Sequence, residues 1–346
     1  MIQKKTKFLA IQFKYLGDAV FITPALLAIK NASPENEIHL LLPSEVAPLF
    51  AHLPWIKKVW ILPRKRSQAN LIKSLPIIKQ LRLEKFDRSV DFGGNDRGAI
   101  LSLIVGAKER IATIEHSPTF LQKIAYTKTE QIIKMSASWV KRHLQLLEYA
   151  WGVKNKGLDK TEIASDPSLQ EIAKKILKNH TVICHIGTSQ EKKEWPIKKW
   201  YELYQLAKKA GYKIAFSAGP NEREQLLIAG LKLLDKSIFT LPSNSDLSLF
   251  LAILDQATLV ISGDTGPLHF ASGLGKKVIG LFGVDDGVRH YASIYTEHEI
   301  IIGDPCKCTG ELVHSSVCQS ASPCMNTITA EQVFKLLKER YPLTET

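Results

Sequence analysis

The segment "ISGDTGPLHFASGLGKKVIGLFG", residues 261–283, decides the fold class. It joins an apolar run to a tight turn, a short helical stretch and a second apolar run, the pattern of two strands connected by a helix. Continuous apolar strands that alternate with helices predict a parallel sheet covered on both faces. Because ligands bind beyond the carboxyl ends of such strands, the segment also predicts a binding site.

The same alternation extends along the whole chain and predicts two domains of the α/β class. Predicted strands cover 8–13, 37–43, 59–63, 86–92 and 109–112 in the first half, and 181–187, 213–219, 238–241, 259–263 and 278–283 in the second. Predicted helices cover 44–52, 70–84, 198–210, 221–235, 245–256, 266–274 and 329–341. The polar stretch 152–169 is typical of a linker. We therefore predict two Rossmann-like, doubly wound domains that face each other across a cleft, at 1–160 and 161–327.

The excess of positive over negative charge lies entirely in the first half of the chain. Residues 1–160 hold 26 Lys and Arg against 13 Asp and Glu, whereas residues 161–346 hold 20 against 21. This asymmetry indicates an anionic partner of the first domain, namely nucleic acid, an acidic membrane surface or an acidic substrate. Apolar runs stay shorter than the roughly 20 residues that span a bilayer. Lys14 and Asp18 interrupt the N-terminal apolar stretch, so we expect a cytoplasmic protein without a signal peptide.

The turn after the first predicted strand carries an acidic residue in an otherwise basic domain. Gly17 and Asp18 precede an apolar helix that includes Pro24. Asp18 either caps this helix or serves as a general base, a role that contributes roughly 10²- to 10⁴-fold in rate. The residues alone leave both interpretations open.

Two turns of the second domain offer groups for a nucleotide. Thr188 and Ser189 supply hydroxyl groups, and either Lys192 or Lys193 suits a diphosphate. After the next strand, Glu222 either binds the hydroxyl groups of a ribose or caps a helix at the surface.

The turn within 261–283 combines an acidic residue with a helix start free of bulky side chains. Asp264, Thr265 and Gly266 precede Pro267, which is tolerated in a first helical turn. Asp264 either caps the helix or binds sugar hydroxyls, the helix N-terminus suits a phosphate, and His269 faces the cleft or the core. The chain has neither a GxGxxG motif after its first strand nor a P-loop. The sequence motifs that usually indicate dinucleotide redox enzymes and NTP hydrolases are therefore absent.

Four cysteines form a cluster near the C-terminus. Reduced thiols that stiffen a loop are one interpretation, and a structural zinc site is the less favoured one. The cluster comprises Cys306, Cys308, Cys318 and Cys324.

Taken in order, "YLGDAVFITPALLAIK", "HIGTSQEKKEWPIKKWYEL", "SAGPNERE" and "SGDTGPLHFASGLGKKVIGLFG" resemble the heptosyltransferases of lipopolysaccharide core synthesis, glycosyltransferase family 9. The most specific parts are the GD-x5-P turn (Gly17, Asp18, Pro24) and the SGDTG-x2-H turn, residues 262–269. The chain departs from the family where "FGVDDGVRH" follows the last strand instead of "FGPTDP". The resemblance implies a GT-B fold in which a last segment, 328–346, places its helix back on the first domain.

The resemblance also implies an activity, namely inverting, metal-independent transfer of heptose from ADP-L-glycero-D-manno-heptose without a cofactor. Asp18 would be the catalytic base. The donor would be held by Thr188, Ser189, Lys193, Glu222, Asp264, Thr265, Gly266 and His269.

The implied acceptor is anionic Kdo-lipid A or a heptosylated core, which would account for the basic first domain. Gly17, Arg64, Lys65, Arg66 and Asn95 are the candidate acceptor-binding residues. Lys57 and Lys58 belong to the same basic segment, which we expect at or beyond the end of a strand, with a solvated loop as the alternative for these two lysines. Peripheral contact with the cytoplasmic face of the inner membrane would follow from such charges.

Two other functions compete with this hypothesis. A GT-B enzyme that uses a UDP- or GDP-linked sugar would keep the same turns. A basic nucleic-acid-binding protein would need only the charge, and the sequence has no nucleic-acid module, so we expect no nucleic-acid partner.

Overall fold

The computed structural model describes residues 5–13, 16–62, 64–65, 68–69, 71–114, 117–128, 138–154, 157, 160–243, 246–283, 299–304, 318, 320 and 323–343. The chain forms two units, Met1–Ala164 and Ser165–Thr346. The boundary that we predicted near 160 lies a few residues before this division. In the described residues, no helix is both long enough and apolar enough to cross a membrane.

The first unit is a parallel sheet between helices. Its strands are β1 (Lys7–Ile11), β2 (Glu37–Pro43), β3 (Lys58–Leu62), β4 (Arg64–Lys65), β5 (Gln68–Ala69), β6 (Arg88–Asp91) and β7 (Glu109–Ala112). Its helices are α1 (Leu16–Val20), α2 (Thr23–Ala32), α3 (Leu71–Leu83), α4 (Asp96–Val105), α5 (Phe120–Ala125) and α6 (Trp139–Trp151). Five strands pair in the order β3-β2-β1-β6-β7, all parallel, while β4 and β5 form a separate antiparallel pair.

Alternate residues of the central strand β1 point to opposite faces of this sheet, as strand geometry requires. Leu9 and Ile11 share a buried cluster with Leu101 of α4. Phe8, between them in sequence, meets Trp151 of α6 edge to face, with ring centroids 5.5 Å apart. Both faces of the sheet are therefore covered, which explains why its strands are continuous apolar runs.

The second unit repeats this architecture. Its strands are β8 (Val182–His185), β9 (Ile214–Ser217), β10 (Leu259–Gly263), β11 (Lys277–Phe282) and β12 (Glu299–Ile302). Its helices are α7 (Gln170–Leu177), α8 (Ile197–Lys209), α9 (Glu222–Leu234), α10 (Leu247–Gln256), α11 (Gly266–Gly273) and α12 (Ala330–Arg340). The strands pair in parallel in the order β12-β11-β10-β8-β9.

The last helix belongs to the second unit. Val333 and Leu337 of α12 are fully buried in the same cluster as Trp200 and Leu203 of α8. The indole N–H of Trp195 donates to the carbonyl oxygen of Ile328, which fixes the approach to α12. The apolar face of α12 is thus buried within the second unit, and the predicted crossing of the C-terminal segment to the first domain stays a prediction.

The predicted α/β class with two doubly wound sheets is confirmed, and most predicted strands and helices are present. Two predictions were wrong. Residues 238–241 form no strand, since only Thr240 makes an isolated bridge to Phe216. Residues 44–52 contain one 3-10 turn, Ala47–Leu49, instead of a helix.

Gly94 provides a test of how tightly the first unit is packed. Its φ is +59°, and a Cβ atom there would lie 1.8 Å from the carbonyl oxygen of Thr113. We expect Gly94→Ala to lower the free energy of unfolding by about 3 kcal/mol. The strain of a left-handed backbone at alanine and the clash of its Cβ atom with the Thr113 carbonyl both contribute. Gly275→Ala is the control: its φ is +73°, but nothing lies within 4 Å of its Cβ position. The control should lose about 1 kcal/mol in urea unfolding, and equal losses would contradict this account of Gly94.

Candidate functional site

In the first unit, three predicted site residues lie where the direction of strand order reverses. The chain runs outward from β1 to β2 and β3, then returns to the other side of β1 as β6. The helices diverge at such a reversal, which leaves a crevice at the carboxyl ends of the two central strands. Gly17 and Asp18 follow β1, and Asn95 follows β6. The structure thus places these three residues at one edge of one sheet.

Asp18 lies inside α1, two residues after the helix begins at Leu16, and is half-buried. The alternative in which Asp18 is the N-cap is therefore wrong. The apolar helix predicted to include Pro24 is in fact two helices, with Pro24 in the first turn of α2. The hydroxyl group of Thr23 donates to the carbonyl oxygen of Val20, which fixes the junction just after Asp18.

Asn95 caps α4 and is exposed; its side-chain oxygen accepts from the N–H of Gly98 at 3.0 Å. Below this turn lies Asp91, a buried carboxylate that the sequence interpretation missed. It accepts from the N–H of Gly93 at 2.8 Å and from the hydroxyl group of Tyr126 at 2.7 Å. Burial, followed by the charge of Asp91, raises the pKa of Tyr126, so this tyrosine stays a hydrogen-bond donor. Asp91 therefore fixes the shape of the turn that carries Asn95.

The basic segment is only partly described. Arg64 and Lys65 form β4, of which the structure describes the backbone, and Arg66 lies outside the described residues. Lys58 is the first residue of β3, and its Nζ lies 3.4 Å from the centroid of the Trp60 ring. Lys57 and Lys58 are therefore at the amino edge of the sheet, away from Asp18, which corrects their predicted place at the end of a strand.

The second unit has its own reversal of strand order, between β8 and β10. The loop after β8 carries Thr188, Ser189 and Lys193, and the turn after β10 begins with Asp264. The structure brings the two segments together, because Lys193 and Asp264 form a direct ion pair. The two strand-end turns predicted separately from the sequence therefore form one site.

Asp264 is the centre of this site and is 8 % exposed. Its Oδ2 lies 2.5 Å from Nζ of Lys193, and its Oδ1 lies 3.6 Å from Nε2 of His269. Burial by itself raises the pKa of Asp264, but contact with His269 and the positive charge of Lys193 outweigh burial and lower it to about 2. The carboxylate is thus ionised at neutral pH and able to accept hydrogen bonds.

The start of α11 differs from the prediction by one residue. Thr265, not Asp264, is the N-cap, and its side chain makes no capping hydrogen bond. Asp264 is therefore not engaged as a cap, and the N-cap side chain of Thr265 leaves the N–H groups of the first turn open. His269 is buried one turn later and lies against Asp264.

An arginine that the sequence pattern did not reveal holds the loop after β8. Arg223 of α9 donates to the carbonyl oxygen of Thr188 and to the carboxylate of Glu194. Its guanidinium group therefore joins both ends of the loop that carries Ser189 and Lys193. Thr188 is buried, and its hydroxyl group donates to the carbonyl oxygen of Gln190 at 2.6 Å, whereas Ser189 is exposed.

The acidic residue enclosed near this site is Glu224, two residues after Glu222, the candidate ribose ligand. Glu222 is exposed at the first position of α9. Glu224 is 7 % exposed and accepts from the N–H of Gly219 at 2.6 Å. A Cβ atom on Gly187 would lie 1.9 Å from its Oε2. The signal available in the sequence was the pair of glycines after β8 and β9, which leave room for a buried side chain.

The structure describes no group of three or more His, Cys, Asp and Glu side chains arranged to hold a metal ion in the ranges given above. Cys324 is buried in the core of the second unit, and Cys318 is partly exposed. Cys306 and Cys308 lie outside the described residues, so the zinc hypothesis for this cluster stays a prediction.

Comparison with known proteins agrees with this geometry. The family model described as glycosyltransferase family 9 (heptosyltransferase) matches residues 75–321, more than half of the chain. The chain belongs to this family. It is therefore a glycosyltransferase, which supports the enzyme hypothesis over the nucleic-acid-binding one.

Individual relatives resemble this family 9 glycosyltransferase over most of their length. Lipopolysaccharide heptosyltransferase 3 of Escherichia coli is 24% identical over 80% of the chain and 82% of the relative. Lipopolysaccharide heptosyltransferase 1 of Campylobacter coli is 24% identical over 97% of the chain and 99% of the relative. The structure of E. coli heptosyltransferase WaaC with ADP-2-deoxy-2-fluoro heptose matches with a TM-score of 0.69 and 20% identity, covering 97% of this chain and all (100%) of that chain. The fold is thus the GT-B fold of heptosyltransferases.

The lowered pKa of Asp264 predicts acid-sensitive stability in this glycosyltransferase. A folded-state pKa of about 2 lies below the ordinary value of about 3.9, so the ionised carboxylate stabilises the fold above about pH 4. We expect Asp264→Asn to lower the free energy of unfolding by about 2 kcal/mol at pH 7, with the difference fading between about pH 4 and 2. Urea unfolding of the wild type and the variant between pH 7 and about pH 2 measures this difference in the free energy of unfolding. Glu202→Gln, exposed on α8, is the control and should change stability little; a pH-independent loss at Asp264 would refute the assignment.

Proposed function

We propose that the protein is an inverting, metal-independent heptosyltransferase that moves heptose from ADP-L-glycero-D-manno-heptose to the Kdo or heptose of the lipopolysaccharide inner core. The observation that carries the proposal is the ionised Asp264 paired with Lys193 at the strand reversal of the second unit. In this pair, the Lys193 ammonium group is a cation that can bind a diphosphate, and the Asp264 carboxylate can accept hydrogen bonds from sugar hydroxyls. Family membership and the names of the relatives support heptose as the transferred sugar.

The donor takes its place in the second unit. WaaC, a structural neighbour, was solved with an ADP-linked fluoro-heptose, which supports ADP as the nucleotide. In the proposal Lys193 and the first turn of α11, from Thr265 and Gly266, contact the diphosphate, because the N-terminus of a helix attracts negative charge. Asp264 and His269 contact the heptose. Thr188 and Ser189 complete the diphosphate site, and Glu222 binds the ribose.

The reaction is a single displacement. Asp18 takes the proton from an acceptor hydroxyl group as that oxygen forms a bond to the anomeric carbon of heptose. The bond between the anomeric carbon and the diphosphate oxygen breaks, and ADP leaves with the bonding electrons. Attack from the side opposite to the leaving group inverts the anomeric centre. Lys193 and the helix dipole offset the charge that develops on ADP, so the scheme requires no metal ion.

The acceptor belongs to the first unit. Gly17 and Asn95 lie at the same sheet edge as Asp18. Arg64, Lys65 and Arg66 follow β3 in sequence and would contact phosphate or carboxylate groups of Kdo-lipid A, since guanidinium groups bind such anions in pairs of hydrogen bonds. A lipid-linked acceptor of this kind requires the protein to work in peripheral contact with the membrane.

The role of Asp18 is tested by Asp18→Asn, which keeps the shape of the side chain but removes the base. We expect the turnover number for ADP release from ADP-heptose, with Kdo-lipid A as acceptor, to fall by roughly 10²- to 10⁴-fold. Affinity for ADP should stay unchanged. Glu35→Gln, an exposed carboxylate of the same unit, is the matched control and should keep wild-type turnover. Wild-type turnover in Asp18→Asn would remove the base from the proposal.

The donor itself is tested with the wild-type protein. Mass spectrometry of the acceptor should show the gain of one heptose, and ADP should raise the melting temperature more than UDP or GDP does. A preference for UDP or GDP would instead favour a GT-B enzyme with another nucleotide sugar. No gain of mass on any core acceptor, together with no ADP release, would refute the proposed reaction.

The two neighbouring lysines offer a matched pair for the diphosphate. Lys193 is paired with Asp264, whereas Lys192 lies one residue away in the same 3-10 turn. We expect Lys193→Ala to weaken ADP binding about tenfold and Lys192→Ala to change it less than twofold, as measured by calorimetry. Melting temperatures separate this effect from a loss of folding. Equal weakening by both substitutions would show that the diphosphate does not depend on Lys193.

A further inference from the structure

Helix α4 is apolar on its outer as well as its inner face. Leu101 and Val105 are buried against the sheet, as expected for a helix of this fold. Ile100, Leu103 and Ile104 are nevertheless exposed on the opposite side. A helix at the surface of a water-soluble protein normally carries polar residues there. The outer face of α4 therefore needs an explanation other than the packing of its own unit.

The neighbouring helix extends this apolar surface. Phe120 begins α5 and is 81 % exposed, and Ile124, one turn later on the same side, is 49 % exposed. Helices α4 and α5 pack directly on each other, with Ala99 and Ala125 in a shared buried cluster. We call the exposed side chains of Ile100, Leu103, Ile104, Phe120 and Ile124 the α4–α5 face. Five large apolar side chains exposed on two packed helices exceed the scattered single ones of an ordinary surface, and such groups mark interaction sites.

The α4–α5 face adjoins the turn assigned to the acceptor. Thr119, which caps α5, donates its hydroxyl hydrogen to the carboxylate of Asp96 at 3.1 Å. Gln122 donates its side-chain amide to the carbonyl oxygen of Gly94 at 3.0 Å. These two bonds hold Phe120 next to the segment that carries Asn95. Phe120, the most exposed large apolar side chain among the described residues of this unit, is thus fixed beside the turn assigned to the acceptor.

The surroundings of the face are basic. Lys123 lies between Phe120 and Ile124 on α5, and Arg97 precedes Ile100 on α4; both are exposed. Arg82 at the end of α3 donates to the carbonyl oxygen of Ile104, which places a third cation at the rim. The carboxylate of Asp96 also lies beside the face, where it accepts from Thr119. Apolar side chains within a rim of Lys and Arg are the pattern of a surface that lies on an anionic lipid bilayer.

We infer that the α4–α5 face docks the protein on a bilayer that contains anionic lipids, with Phe120 and Ile100 entering the boundary between headgroups and acyl chains. The choice of a bilayer rests on the proposed function, because a lipid-linked acceptor resides there. Charge complementarity favours this partner over a second copy of the chain, since two such basic rims would repel each other. Docking at this place brings the acceptor-binding turn to the membrane surface.

Flotation of the purified full-length protein with vesicles tests the inference. We expect binding to vesicles of phosphatidylglycerol and phosphatidylcholine in equal amounts, and weak binding to phosphatidylcholine alone. The double substitution Ile100→Ser with Phe120→Ser should lower the partition coefficient about tenfold, because two apolar side chains no longer leave water. Lys123→Glu should weaken binding to the anionic vesicles only, and added salt should reduce that difference.

Leu233→Ser is the matched control, because Leu233 of α9 in the second unit is 85 % exposed and lies outside the face. It should bind vesicles as the wild type does. Vesicle binding that is equal for the wild type and the double variant would overturn the inference. A wild-type dimer in sedimentation that becomes monomeric in the double variant, without any change in vesicle binding, would assign the face to self-association and likewise overturn it.

Activity distinguishes this inference from the proposed function. With a soluble acceptor that lacks acyl chains, the double variant should release ADP as fast as the wild type. With acceptor embedded in anionic vesicles, it should be slower by about the loss in partition. If the wild type is inactive on both acceptors but still binds vesicles through the face, the proposed function fails and the docking surface stands.

Discussion

Each unit depends on one topological constraint, a parallel sheet whose strand order reverses beside its first strand. At the reversal the covering helices turn to opposite sides, and the carboxyl ends of two central strands are left uncovered. In the first unit this edge carries Asp18 and Asn95, and in the second it carries Lys193 and Asp264. Chain segments 71 residues apart thereby become neighbours without any long loop of their own. The polar side chains of each edge follow strand ends, which the core holds rigidly.

The two edges differ in how their charges are held. At the second, the Asp264 carboxylate already has a cation, and Arg223 joins the ends of the loop that supplies it. Orienting these groups before a ligand arrives reduces the reorganisation needed during the reaction. At the first edge the buried Asp91 supports the turn of Asn95, while Asp18 on the short helix α1 is only half-buried. This difference suits a preformed binding site in one unit and a group that exchanges protons in the other.

Much of this was predictable from the sequence, because apolar runs bounded by turns fix the strands of a parallel sheet and hence the edge where polar side chains gather. What failed depended on partners distant in the chain. Residues 238–241 have strand composition, yet only Thr240 finds a neighbour. Lys192 and Lys193 are equivalent in sequence, and only the folded chain pairs one of them with Asp264. The apolar face of α12 is visible in the sequence as a pattern, but the residues of α8 against which it packs are known only from the folded chain.

Glu224 has a consequence for how the sequence can vary. Its carboxylate occupies the space that side chains on Gly187 and Gly219 would fill, while accepting from the N–H of Gly219. A larger residue at either glycine would displace the carboxylate, and a shorter residue at 224 would leave a void between two strand ends. These three positions, on the loop after β8, the loop after β9 and helix α9, can therefore change only together.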